Sequence, residues 1–248
     1  MTIRLALPDL TPAENAKQWQ SAHRRINHVI ARVLAMDPEA LARVRQIEGA
    51  VDIFFSTPTN TIYLQRIPGT LVETGEGVVK VRDLEEALKN VAGVNGGGDA
   101  QGVEGTARTS EPIDLGAPMD LMWRGTLPPV SGYTLIDTPP GSAIRQLYQD
   151  MAEESREHSG PAGIARSLLD QEIMQVSPDQ QQGDTPSVAI TGRMIGTMGA
   201  LGLAPEPTTE TLRKYDYVRV STHASWIRVD GLGGSLFAPR PGGLARVP

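Results

Sequence analysis

Residues 93–112, GVNGGGDAQGVEGTARTSEP, hold six glycines in 20 positions and no aromatic side chain. A stretch of that kind cannot bury enough apolar area to offset the entropy lost when it orders. It reads as a flexible connector or a long surface loop. It divides the 248 residues into two parts, each long enough for a core of its own. The expected organisation is an N-terminal lobe over 1–92, the Gly-rich segment over 93–112 and a C-terminal lobe over 113–248. Charge divides around the same stretch. Residues 1–92 carry 11 basic and 11 acidic side chains, the segment 1 and 3, and residues 113–248 carry 11 and 15, for a formal charge of -6.

The N-terminal part opens with Thr11-Pro12-Ala13-Glu14, a capping box with Pro at the first helical position. Trp19, Ala22, Ile26, Val29, Ile30 and Val33 then recur at three- and four-residue spacing, one face of a helix. Asp37-Pro38 reads as the start of a second helix striped by Leu41, Val44 and Ile47, with Gly49 as its stop. The period changes to two at Val51, Ile53 and Phe55, and Thr61–Ile67 reads as the returning strand. Short strands at 71–73 and 78–81 precede a helix opened by Asp83 and Glu86. In the C-terminal part, strands are expected at 119–125 and 133–137, followed by a helix ending at Gly160-Pro161. Another helix near 164–169, a strand at 173–176 and a helix over 188–203 follow. In that last helix Gly192, Gly196 and Gly199 permit close approach by another element. Strands at 217–221, 226–230 and 235–238 complete the order. The fold class is α+β, two lobes, each a small antiparallel sheet with covering helices.

Several chemistries are excluded by residue type and spacing. There is no cysteine, so no disulfide, thiolate metal site or thiol nucleophile is available. No Gly-x-Ser-x-Gly elbow, Walker-type phosphate loop or Gly-x-Gly-x-x-Gly turn occurs. His23 and His28 sit about 140° apart around a helix and cannot share a metal. Glu154 and His158 make an i,i+4 pair on a polar face, and His223 falls in a connection between strands. Catalytic residues, metal ligands and cofactors are accordingly assigned to none. The longest uncharged apolar stretch, 194–205, is 12 residues long and interrupted by glycines, too short for a bilayer span. Residues 1–10 lack a signal-peptide pattern, so a cytoplasmic location is expected.

Trp123, Tyr133, Trp226 and Phe237 fall on expected C-terminal strands, with Arg124, Arg219 and Arg228 alternating to the opposite side. That leaves either a half-buried sheet with a solvated basic face or a shallow anion-binding surface. The heptad-spaced Trp19, Ile26 and Val33, with Ile30, fit either a seam between two copies or packing on the protein's own sheet. The C-terminal element order also matches a winged helix, with 188–203 as the groove helix. That helix carries one charge, Arg193, which argues against nucleic acid.

The segments Trp123-Arg124-Gly125-Thr126-Leu127-Pro128-Pro129, Gly132-Tyr133 and Asp137-Thr138-Pro139-Pro140 resemble a pattern in uncharacterised actinobacterial proteins. The resemblance covers residues 119–238 and brings no activity with it. The reading reached from sequence is a non-catalytic cytoplasmic protein that binds a protein partner or itself, through Trp19, Ile26, Ile30 and Val33. Two alternatives stand beside it. One is a small anionic-ligand binder or enzyme with a site between the lobes, using Trp123, Arg124, Arg193 and Arg228. The other is a winged-helix-like DNA binder.

Overall fold

The computed structural model describes residues 2–91, 111–158, 166–178 and 187–240. Nearly all of the Gly-rich segment lies outside the described residues. The element order is β1 (Ile3–Ala6), α1 (Ala13–Met36), β2 (Leu41–Ile47), β3 (Ala50–Ser56), β4 (Ile62–Pro68), β5 (Thr70–Val72), β6 (Glu76–Lys80), α2 (Val81–Asn90) and β7 (Ile113–Gly116), then β8 (Thr134–Asp137), α3 (Gly141–His158), α4 (Arg166–Leu169), β9 (Glu172–Val176), β10 (Val188–Thr191), α5 (Gly192–Leu201), α6 (Glu210–Arg213), β11 (Arg219–Thr222), β12 (Trp226–Gly231) and β13 (Gly234–Pro239). Helices and antiparallel sheets make the chain α+β.

Contacts group the chain into two units, Met1–Ser56 with Gln65–Gly125 and Thr57–Leu64 with Thr126–Pro248. This division differs from the one drawn at the Gly-rich segment. Residues after that segment return to the first unit because β7 pairs with β1 and buries Leu115. Thr57–Leu64 joins the second because Ile62–Leu64 pairs with β13.

In the first unit the strands run β6-β2-β3, with a second sheet ordered β5-β1-β7. Helix α1 buries Trp19, Ala22, His23, Ile26, Val29, Ile30 and Val33, and α2 packs against α1, β7 and β6. The Nε2 of His23 lies 2.9 Å from the Leu88 carbonyl on α2, which holds this buried ring between the two helices. The start of α1 is not the expected capping box. Pro12 is the N-cap, no side chain caps it, and the Asp9 carboxylate accepts the Thr11 amide instead. Thr11, through its side chain first and its amide second, holds the Asp9 carboxyl below its ordinary value.

The expected second helix is strand β2. Of the stripe Leu41, Val44 and Ile47, only Val44 is buried: it alternates with Ala42 against half-buried Arg43 and Arg45, a period of two, and Leu41 and Ile47 fall on the other side. Asp37 ends α1 rather than starting a helix: its carboxylate accepts the Glu39 amide in a local turn, and the chain then enters β2. Gly49, at φ +68°, is a hairpin residue where Ile47 pairs with Ala50. The expected strand at 119–125 is instead a single 3-10 turn, Asp120–Met122, that leaves Leu121 fully exposed. The helix at 83–91 begins earlier, at Val81, with Asp83 in its first turn.

In the second unit the strands run β4-β13-β12-β11-β8, and β9 pairs with β10. One face of the larger sheet is apolar and buried: Ile136, Val220, Ile227, Val229, Leu236 and Ala238. The long helix expected over 188–203 is strand then helix. Val188 and Ile190 alternate inward on β10, and α5 starts only at Gly192. The close approach expected at Gly192 and Gly199 is present. A Cβ on Gly192 would collide with the Leu168 carbonyl, and one on Gly199 with the Tyr148 ring.

Arg145 on α3 grips Asp216 with two hydrogen bonds of 2.8 Å and also donates to the carbonyls of Ala204 and Pro205. Those bonds hold the Asp216 carboxyl below its ordinary 3.8 against the opposing effect of burial. A carboxyl lowered in the folded state stabilises fully above its unfolded value, and that contribution disappears as pH falls through the folded value. Arg145→Ala is expected to cost about 2 kcal/mol at pH 7. Urea midpoints at pH 7 and at about pH 3 should show this difference shrinking in acid. An Arg145→Ala deficit that is the same at both pH values would contradict the assignment.

Candidate functional site

The second unit carries a shallow, open cavity of about 300 Å³ on the sheet face opposite the apolar one. Strand register builds it. Because β11 and β12 form a hairpin, Arg219 pairs with Asp230 and Ser221 with Arg228, so all four side chains project to one side. Leu135 on β8 sits opposite Ser221 and extends the row to the edge of the sheet. The segment Val130-Ser131-Gly132-Tyr133 closes one flank. Gly132, at φ +84°, makes the turn that brings the chain beside His223.

The two arginines are held differently. The Nε of Arg228 donates to Asp230 Oδ1 at 2.8 Å, and the Ser235 hydroxyl donates to the same oxygen at 2.5 Å. The Arg228 guanidinium carbon lies 5.5 Å from the ring centroids of both Tyr133 and Phe237, within cation–π range. Its orientation is therefore fixed from three sides, while its terminal Nη groups make no hydrogen bond to a described residue. Arg219 is exposed and makes no ion pair or hydrogen bond with a described residue. The cavity thus presents one oriented cation, one uncommitted cation and a serine hydroxyl, against one carboxylate already shared by two donors.

Arg228 is the one sequence-derived ligand candidate in this cavity. Trp123 and Arg124 belong to the first unit, beyond the 3-10 turn, where the Trp123 indole nitrogen is buried without a hydrogen-bond partner and Arg124 is exposed. Arg193 pairs with Asp170 at 2.7 Å and is not held for a ligand. The aromatics and arginines do not occupy opposite faces as expected. Phe237 pairs directly with Arg228, which places both on the same side.

The seam candidates Trp19, Ile26, Ile30 and Val33 are each at most 2% exposed. They pack within the first unit, so they offer no surface to a second copy. The winged-helix reading is also corrected. Helix α5 buries Met194, Ile195, Gly196, Thr197, Met198 and Leu201, and a helix so enclosed cannot enter a groove. What the sequence reading passed over is the outer face of α1. Lys17, Arg24, Arg25, His28 and Arg32 project there, and Glu14 is the helix's sole acidic residue. Counting charge over residues 1–92 hid that stripe, which appears once the apolar face of the helix is subtracted.

His223 is half-buried with its ring 5.6 Å from that of Tyr133, and its Nδ1 accepts the Ser225 amide at 3.4 Å. Among the described residues, no three His, Asp or Glu side chains are grouped to hold a metal ion. Among them, too, no helix is long and apolar enough to cross a membrane.

The chain shares its fold with a DNA polymerase sliding clamp. The chain is similar to the sliding clamp from Bacillus subtilis at 11% identity and a TM-score of 0.51, covering 97% of this chain and 65% of that one. It is also similar to Caulobacter crescentus pol III beta (10% identity, TM-score 0.49, 88% and 64% covered). The sliding clamp from Pseudomonas aeruginosa is a third (12% identity, TM-score 0.45, 88% and 63%). The chain therefore spans somewhat less than two-thirds of the length of these clamp chains. At such identities the likeness defines the fold. More particularly, residues 128–243, which include the whole cavity lining, match a family described as a domain of unknown function, DUF8185. No curated protein matches the sequence.

Proposed function

We propose that this chain is a non-catalytic protein that acts by associating with other proteins, copies of itself included. The observation that supports the reading is the fold it shares with the Bacillus subtilis sliding clamp across 97% of its length. The name of that protein describes holding rather than bond-making. Fold alone does not carry function, so the reading stands on a direct measurement of mass. Light scattering of the full chain between low and high micromolar concentration is expected to give a mass rising above 26.6 kDa. A mass fixed at the single-chain value across that range overturns the self-association part.

A second reading is favoured by one specific feature, the basic outer stripe of α1. In it, Lys17, Arg24, Arg25 and Arg32 contact the phosphates of a nucleic-acid duplex. In the same series of samples, a labelled duplex would bind at low salt and lose affinity steeply as salt rises. The absence of any duplex binding at low salt removes this reading and leaves the first untouched.

A further inference from the structure

We infer that the cavity on the sheet face of the second unit is a carboxylate-binding site, with Arg219 and Arg228 as its anion-holding pair. Three features point to this chemistry. First, the cations are placed by a fixed hairpin register, and Arg228 is oriented by Asp230 and by the Tyr133 ring. An oriented guanidinium loses little freedom on binding and presents parallel donors that match a planar carboxylate. Second, Arg219 has no partner among the described residues although Asp230 is its cross-strand neighbour. The Asp230 carboxylate is instead taken by Arg228 and Ser235, which leaves the Arg219 charge for an incoming group.

Third, charge and size select the ligand. Two cations against one carboxylate leave a local charge of about +1, suited to one carboxylate and undersupplied for a phosphate dianion. A volume of about 300 Å³ is at the small end of ligand cavities. With Leu135 as an apolar wall, it fits a carboxylate carried on a few methylene groups, whether on a small organic acid or on a glutamate side chain. The Ser221 hydroxyl, between the two cations, supplies a further donor.

The inference deepens the association reading, since a carboxylate on a partner would be one anchor of that association. The test is amide chemical-shift titration of the isotope-labelled full chain. The probes are glutarate, a blocked tripeptide with glutamate between two leucines, its glutamine counterpart, and inorganic phosphate. Saturable shifts are expected at 131–135, 219–221 and 228–230 with one or both carboxylate probes. The glutamine peptide should give none, and phosphate should bind more weakly.

A response to glutarate and peptide alike assigns a free organic acid as sufficient. A response to the peptide alone assigns an acidic protein segment. Arg219→Met should weaken binding about tenfold or more. Asp230→Asn should tighten it several-fold by removing the competing charge, an opposite sign that a merely structural role would not give. No shifts with either carboxylate at roughly 10 mM, well above a millimolar dissociation constant, overturn the inference, as do shifts indifferent to Arg219→Met. Light scattering of the same samples keeps the readings apart. A rising mass without carboxylate binding rejects the cavity alone, and saturable binding by a fixed single-chain mass rejects self-association alone.

Discussion

Trp19→Ala is expected to destabilise the protein by about 3–5 kcal/mol, the range for emptying a buried aromatic site. Trp19 is 2% exposed and stacks on the buried His23 ring at 5.6 Å. Its neighbours along the helix face, Ala22 and Ile26, are as deeply enclosed, so the vacated space has no loose side chain at hand to fill it. A loss of that size is a large fraction of the stability of an ordinary domain, and it should appear in urea unfolding followed by circular dichroism.

The measurement also separates two uses of one stripe. If Trp19, Ile26, Ile30 and Val33 pack within the first unit, the loss is the same at low and high protein concentration. If they formed a seam between copies, the loss would vanish on dilution and the mass would change instead. Leu121, fully exposed on its 3-10 turn, is the internal comparison. Its replacement by Ala should change stability by no more than about 0.5 kcal/mol. A Trp19→Ala cost as small as that would reject the intramolecular placement.

How far the sequence was legible follows from the same physics. Long helices were plain because α1 repeats its apolar residues over many turns, and only a helix face satisfies that many spacings. Short segments were not. Leu41, Val44 and Ile47 recur at a helical spacing, yet only Val44 of the three lies on the buried face of β2, and seven residues are too few to expose that mismatch. The choice was made by pairing with β3 and β6, which is non-local information. Strands β1 and β7 escaped for the same reason: four residues each, with buried positions owed to partners far along the chain.

The candidate site was half legible. Arg219 and Arg228 were visible as alternating cations, but the face they share with Phe237 was not. Carrying the pairing inward from Thr222 and Ile227 places Ser221 against Arg228 and Arg219 against Asp230. That step needs the hairpin's register, which the length of the 223–225 connection fixes and composition does not. The flank supplied by Val130–Tyr133 carries no periodic signal at all. Its place depends on the turn at Gly132 and on contact with His223.

Gly192→Ala is expected to destabilise the second unit by about 2–3 kcal/mol, against the direction of helix propensity. Alanine is preferred to glycine within a helix by about 1 kcal/mol, so propensity alone forecasts a gain at this first residue of α5. Space decides otherwise. The added Cβ would fall against the Leu168 carbonyl oxygen, with the Leu168 carbonyl carbon at 2.9 Å and the Leu169 Cα at 3.0 Å. All three are backbone atoms, so relief requires moving the chain itself. That chain is tied down, because the Gly192 amide donates to the Gln171 carbonyl at 2.9 Å and α4 packs on α5.

Gly199→Ala provides the contrast within one helix. Its Cβ would meet the root of the Tyr148 ring on α3, a half-buried side chain that must turn about its first torsion to make room. Repacking a half-buried side chain, offset in part by propensity, should leave a net cost of about 1–2 kcal/mol, less than moving backbone. The ordering is the sharp outcome: thermal or urea unfolding should place Gly192→Ala clearly below Gly199→Ala. Equal stability of the two variants, or a Gly192→Ala protein as stable as the parent, would mean that α4 and α5 are not fixed against each other at that backbone contact.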